Sequence, residues 1–98
     1  MKRVARSLAA DRVSVVCAYL EINKPSISDA ILRAVRKGAR EVRILPYFLL
    51  EGKHVVRDIP MIVRQARARH GAKVRIRLCP YLGYDTRIVS VVRDRLGL

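Results

Sequence analysis

His54 is one of two histidines in the 98-residue chain. It lies in the stretch Leu49-Leu50-Glu51-Gly52-Lys53-His54-Val55-Val56-Arg57-Asp58-Ile59-Pro60. A neutral imidazole ligates Co²⁺, Ni²⁺ or Fe²⁺ and accepts a proton near neutral pH. Glu21 precedes His54 by 33 residues (54 − 21). A carboxylate beside an imidazole orients it, shares a metal ion or takes a second proton. Two such groups are a weak metal signal alone, and a lone loop histidine is more often solvated than functional. What matters is whether the fold brings them together.

Other chemistry has less support. No glycine-rich phosphate loop and no Gly-x-Ser-x-Gly elbow occurs, so no nucleotide is expected. Cys17 and Cys79 sit in apolar runs without metal-ligand spacing. They read as reduced, buried thiols of a cytoplasmic protein. His70, beside Gly71, suits the negative end of a helix and reads as structural. Tyr47, Tyr81 and Tyr84 either stack on a flat ligand or pack the rim of the fold.

The elements that must position these groups follow from periodicity. Val13–Leu20 is nearly continuous and β-branched, as in a strand covered on both faces. Val42–Phe48 is similar. Val74–Leu78 alternates, with Arg75 and Arg77 on one face, and reads as an edge strand or one with a wet face. Between the strands, Ile27, Ile31, Ala34 and Val35 share one helical face behind Ser26 and Asp29, with Gly38 as a stop. Ile59, Ile62, Val63 and Ala66 form the next helix, with Asp58 as its N-cap and Gly71 at its end. Ile88, Val89, Val92 and Leu96 form the last, opened by Asp85. The first ten residues read as a helix with Val4 and Leu8 inward.

Gly38–Tyr47 resembles Gly71–Tyr81, and Pro46 and Pro80 stand 34 residues apart (80 − 46). One helix and one strand per period is a βα repeat. Strands alternating with helices imply an α/β fold with a parallel sheet, whose ligands bind beyond the carboxyl ends of the strands. Glu21 follows the first strand, His54 the second and Tyr81 the third, so all three are expected on one rim.

The length is that of a single domain, residues 1–98. At 51% hydrophobic residues the chain is not disordered. No apolar run spans a bilayer and no secretory leader is recognisable, so no membrane partner is expected. The net charge is +13, from 21 Lys and Arg (sixteen of them Arg) against 8 Asp and Glu. Such a surface attracts anions: nucleic acid, anionic lipid or a polycarboxylate small molecule. Equally, a spread of charge along a chain is often only a solvated surface.

Three stretches carry a resemblance to a known family. Ala18–Ile31, Val42–Pro60 and Ala66–Ile88 together resemble the small sirohydrochlorin chelatases, class II chelatases that insert cobalt or nickel. The carrying residues are Glu21, Pro25-Ser26, Gly52, His54 and Asp58-Ile59-Pro60. The resemblance implies a three-layer, chelatase-like (flavodoxin-like) parallel sheet flanked by helices, in a homodimer. It implies a divalent metal as substrate (cobalt, nickel or iron) and a sirohydrochlorin-type tetrapyrrole, whose carboxylates suit a +13 protein. By resemblance, His54 binds the metal and helps deprotonate pyrrole nitrogens, and Glu21 assists; Tyr47, Gly52 and Tyr81, near the strand ends, are expected to contact substrate. The family's layout begins with a strand ending in His-Gly-Ser, whose histidine is the other metal ligand; this chain opens inside the following helix. An N-terminally truncated version of the fold, with unpaired ladder groups and apolar surface exposed, is therefore expected.

Three functions are open on the sequence. The first is sirohydrochlorin metal chelation, a lyase reaction of tetrapyrrole and cobalamin biosynthesis. The second is a catalytically inactive homologue that holds tetrapyrrole or metal. The third is a basic nucleic-acid-binding module, ranked last because no recognised RNA- or DNA-binding signature is present.

Overall fold

Ser26 begins the first well-packed element. In the computed structural model, which describes residues 1–9, 13–20 and 23–98, its Oγ accepts the Asp29 N–H at 3.1 Å. This satisfies one of the free donors at the start of a helix. The helix that follows, α2 (Ile27–Arg36), comes after α1 (Lys2–Ala9). It turns Ile31 into the core and stops where Gly38 takes φ +90, a conformation side-chain-bearing residues avoid.

The chain then enters β1 (Glu41–Ile44), passes through a π-helical turn (His54–Asp58) into α3 (Ile59–His70), and returns as β2 (Arg75–Leu78) before α4 (Thr86–Leu96). β1 and β2 pair in parallel, from Glu41 opposite Arg75 to Ile44 opposite Leu78. The ladder ends just past them, at Cys79 N–H to Ile44 O (2.8 Å), because Pro46 and Pro80 follow and carry no N–H to continue it. Alternation sends Val42, Ile44, Ile76 and Leu78 to one face, where α2 and α3 cover them. The opposite face carries Arg43 and Arg77, both bonded to Glu41 Oε1, at 2.6 and 3.4 Å.

The core is Ile31, Ile59, Val63, Ala66, Val74 and Ile76, with Leu20, Ile27, Val35 and Phe48 packed around it. Full burial of each such large aliphatic side chain contributes about 1.5–3 kcal/mol. Arg67 Nε donates to Ile76 O at 3.0 Å and pins α3 to β2.

Three expectations are corrected. Val13–Leu20 forms no ladder: residues 13–18 are irregular, and only Tyr19 bridges, to Ser26. A β-branched run becomes a strand only beside a partner backbone, and among the described residues none pairs with residues 13–18. Val4 and Leu8 are not inward but 41% and 44% exposed, since α1 buries no residue. Asp58 is not an N-cap. The helix starts earlier, at Lys53, so Asp58 is already helical and its carboxylate serves another partner. The α/β class, the parallel pairing and the helices after Ser26 and around Ile59–Ala66 stand as expected; the helix after Asp85 forms too, but it buries no residue, and Val92 and Leu96 of its expected face are 49% and 67% exposed.

Candidate functional site

Gly52 opens the segment that carries His54. Its carbonyl accepts the N–H groups of Val55 and Val56 at 3.0 and 2.9 Å, which winds the first turn directly after the β1 loop. The turn then widens: the Ile59 N–H bonds His54 O, five residues back, in the π pattern often found at functional sites. Because this turn runs straight into α3, whose Ile59 and Val63 are buried, His54 is held on a rigid element at the carboxyl end of the sheet.

His54 Nδ1 lies 2.8 Å from Asp58 Oδ2. The His54 hydrogen bond, aided by the adjacent Arg57, holds the Asp58 carboxyl below its usual range, so it is ionised near neutrality. An ionised carboxylate only accepts, so Nδ1 carries the proton and a neutral ring keeps its lone pair on Nε2. Arg57 Nε reaches Asp58 Oδ1 at 3.3 Å, securing the carboxylate from its other side. Phe48 lies nearly parallel to the imidazole, 19° between planes and 6.4 Å between centroids, and itself packs on the core. Asp58 and Phe48 were not singled out as site residues in the sequence. The spacing His54–Asp58, i to i+4, was the available signal, because a helix places such residues side by side.

The other expected site residues are distributed as follows. Tyr47 is exposed just beyond β1, and Gly52 is exposed at the start of the turn. Tyr81 is half-buried after β2 and lines an open depression with Leu45, Pro80, Leu82, Asp85 and Ile88. The loops after β1 and β2 are tied together by Gly83 N–H to Phe48 O at 3.2 Å. Phe48 thus touches His54 with its ring and the Tyr81 loop with its carbonyl. Gly83 has φ +60, and a Cβ there would come within 3.2 Å of the Tyr81 ring. Glu21 lies outside the described residues. Among the described residues no three His, Cys, Asp or Glu side chains converge to cage a metal. Cys17 and Cys79 are half-buried free thiols, and no helix there is long and apolar enough to cross a membrane.

Comparison with known proteins gives a consistent pattern. A family model described as CbiX matches residues 1–97. The sirohydrochlorin cobaltochelatase of Saccharolobus solfataricus is 31% identical over 84 residues, covering 81% of this chain and 66% of that protein. The chloroplastic sirohydrochlorin ferrochelatase of Arabidopsis thaliana is 34% identical over 79 residues, covering 81% of this chain and 35% of that one. The chain therefore spans only about a third to two thirds of these relatives' length. Among solved structures, the sirohydrochlorin chelatase SirB from Bacillus subtilis subspecies spizizenii, in complex with cobalt, superposes with TM-score 0.85 at 26% identity, over 98% of this chain and 42% of that one. A CbiX protein of Marinobacter aquaeolei VT8 superposes with TM-score 0.71 at 29% identity, over 98% of this chain and 82% of that one.

Proposed function

The chain belongs to the CbiX family, and from that premise we propose that it inserts a divalent metal into sirohydrochlorin, cobalt foremost, with nickel or iron as the other candidates. The observation that carries this reading is the state of His54. Its ring is fixed at the rim with Nδ1 on Asp58, so the lone pair on Nε2 serves as metal ligand or proton acceptor. The metal is a substrate here: it must shed water while two pyrrole N–H protons leave the macrocycle. A ligand that is also a base serves both steps. Glu21, assigned by resemblance, takes part as second ligand or second base. Tyr47, Gly52 and Tyr81, on the loops after β1 and β2, contact the macrocycle, and the charge of +13 draws its carboxylates in.

The protein acts as one domain and as a homodimer. Its accessible surface is 8240 Å², whereas a folded monomer of 11.2 kDa has about 5,700 Å². Val13, Val15 and Val16, together with Val91, Val92 and Leu96 of α4, are exposed. A second copy that covers them accounts for the excess. Free thiols at Cys17 and Cys79 fit a cytoplasmic protein.

The test is an anaerobic mixture of protein, sirohydrochlorin and Co²⁺, followed by tetrapyrrole absorbance. Wild type is expected to outpace the protein-free control, and His54→Ala to lose about 10²-fold or more of that rate. An undiminished rate in His54→Ala removes His54 from the site. Folded protein that binds sirohydrochlorin without metalating it makes the chain a tetrapyrrole-holding homologue.

A further inference from the structure

The geometry points to Asp58 as a positioning residue that sets the tautomer and the plane of His54. The inference deepens the reading of His54 as metal ligand and rests on it. Its basis is a relay of three side chains on one helical turn: Arg57 Nε to Asp58 Oδ1 at 3.3 Å, and Asp58 Oδ2 to His54 Nδ1 at 2.8 Å. Phe48 flanks the ring at 6.4 Å. An imidazole has two nitrogens and two neutral tautomers, of which only the Nδ1–H form keeps Nε2 able to accept a metal or a proton. A carboxylate on Nδ1 selects that form and stops the ring from turning, as second partners of metal-binding histidines do. The π turn serves the same end, because it brings residues 54 and 58 together on a segment anchored by buried Ile59.

The test reads the tautomer directly. Long-range ¹⁵N–¹H spectra of the imidazoles, taken above neutral pH without metal, are expected to show His54 as Nδ1–H in wild type. Asp58→Ala is expected to lose that dominance while His70, the other histidine, keeps its pattern. Calorimetric titration with Co²⁺ alone is expected to show affinity about 10–100-fold weaker in Asp58→Ala, partly restored in Asp58→Glu. If Asp58→Ala does not fold, Asp58→Asn keeps the shape and removes the charge, and its tautomer and Co²⁺ affinity decide instead. An Nε2–H tautomer in wild type, or either readout unchanged in the variant, overturns the inference. His54→Ala separates the two claims: if it binds Co²⁺ as wild type does, the metal-ligand reading fails, while the tautomer comparison still reports on Asp58.

Discussion

At the scale of single residues, His54 was legible because of its setting: a glycine to begin a turn and an Asp-Ile-Pro to enter a helix. Asp58 was legible as a residue and misread in role. Asp followed by Ile-Pro is a helix-start pattern, but a turn that starts five residues earlier puts Asp58 inside the helix and frees its carboxylate for His54. Gly83 and Gly52 show how a residue's weight depends on backbone conformation rather than identity. Gly83 has φ +60 and faces the Tyr81 ring; Gly52 has an ordinary backbone and open space around its Cα. Gly83→Ala is expected to cost about 1–2 kcal/mol, because a Cβ in the left-handed region meets the carbonyl oxygen as well as the ring. Gly52→Ala is expected to stay within about 0.5 kcal/mol of wild type. Urea unfolding of both variants checks this, and equal midpoints would remove the Gly83–Tyr81 contact from the design of the rim. A sirohydrochlorin affinity that falls in a fully stable Gly52→Ala would mark Gly52 as a substrate contact.

At the scale of elements, caps were read well and strands less so. Ser26 and Asp85 act locally, within three residues, so their roles are written in adjacent sequence. A strand is written in two places at once. Val42–Phe48 shortened to β1 because Pro46 cannot extend the ladder, and residues 13–18 stayed irregular, with no pairing strand among the described residues. The internal echo proved informative: every β1–β2 pair is offset by the same 34 residues as Pro46 and Pro80 (80 − 46), so equivalent positions of the repeat sit side by side on the rim. Asp85 also carries an electrostatic signature. Its carboxylate accepts the Arg87 N–H at 2.9 Å and grips the Arg87 guanidinium at 2.8 and 2.7 Å. These bonds hold its carboxyl far below the usual range, and Glu41 beside Arg43 and Asp58 beside His54 are lowered too. A carboxyl that is more acidic folded than unfolded binds fewer protons in the native state. Its contribution is complete above the unfolded value and disappears as pH falls through the folded one. Stability is therefore expected to hold from neutrality to about pH 5 and to fall below about pH 4. Asp85→Ala is expected to lower Tm by several degrees at pH 7, through the lost cap, and to converge on wild type as the pH approaches strong acid. A gap in Tm that stays constant from neutral to acid pH would show that the cap bond, not the ionised carboxylate, is what Asp85 contributes.

At the scale of the whole molecule, surface and charge pull in different directions, and salt separates them. The radius of gyration is 15.1 Å, against about 12.6 Å for a folded chain of 98 residues. Among the described residues six are buried apolar core, while Val91 and Val92 of α4 are each 49% exposed. The excess surface is about 2,500 Å² per chain relative to a monomer of this mass, or roughly 5,000 Å² for a pair, which is at the upper end of permanent dimer interfaces. Two chains of +13 repel each other, whereas +13 attracts a polycarboxylate. Screening therefore acts with opposite signs: added salt weakens the repulsion between copies and leaves apolar burial intact, but weakens substrate attraction. Sedimentation equilibrium at micromolar protein is expected to give twice the chain mass, with association unchanged or tighter in 1 M salt. Sirohydrochlorin affinity is expected to fall over the same range. The double variant Val91→Asp/Val92→Asp puts two charges on α4 and replaces no buried residue, so it is expected to shift the equilibrium toward monomer by at least about tenfold while the isolated fold persists. Tm should rise with protein concentration in wild type and lose that dependence in the variant, since only an associating native state links the two. A monomer at tens of micromolar in high salt would leave the apolar surface without the occupant proposed for it. It would also assign the +13 charge to substrate attraction alone.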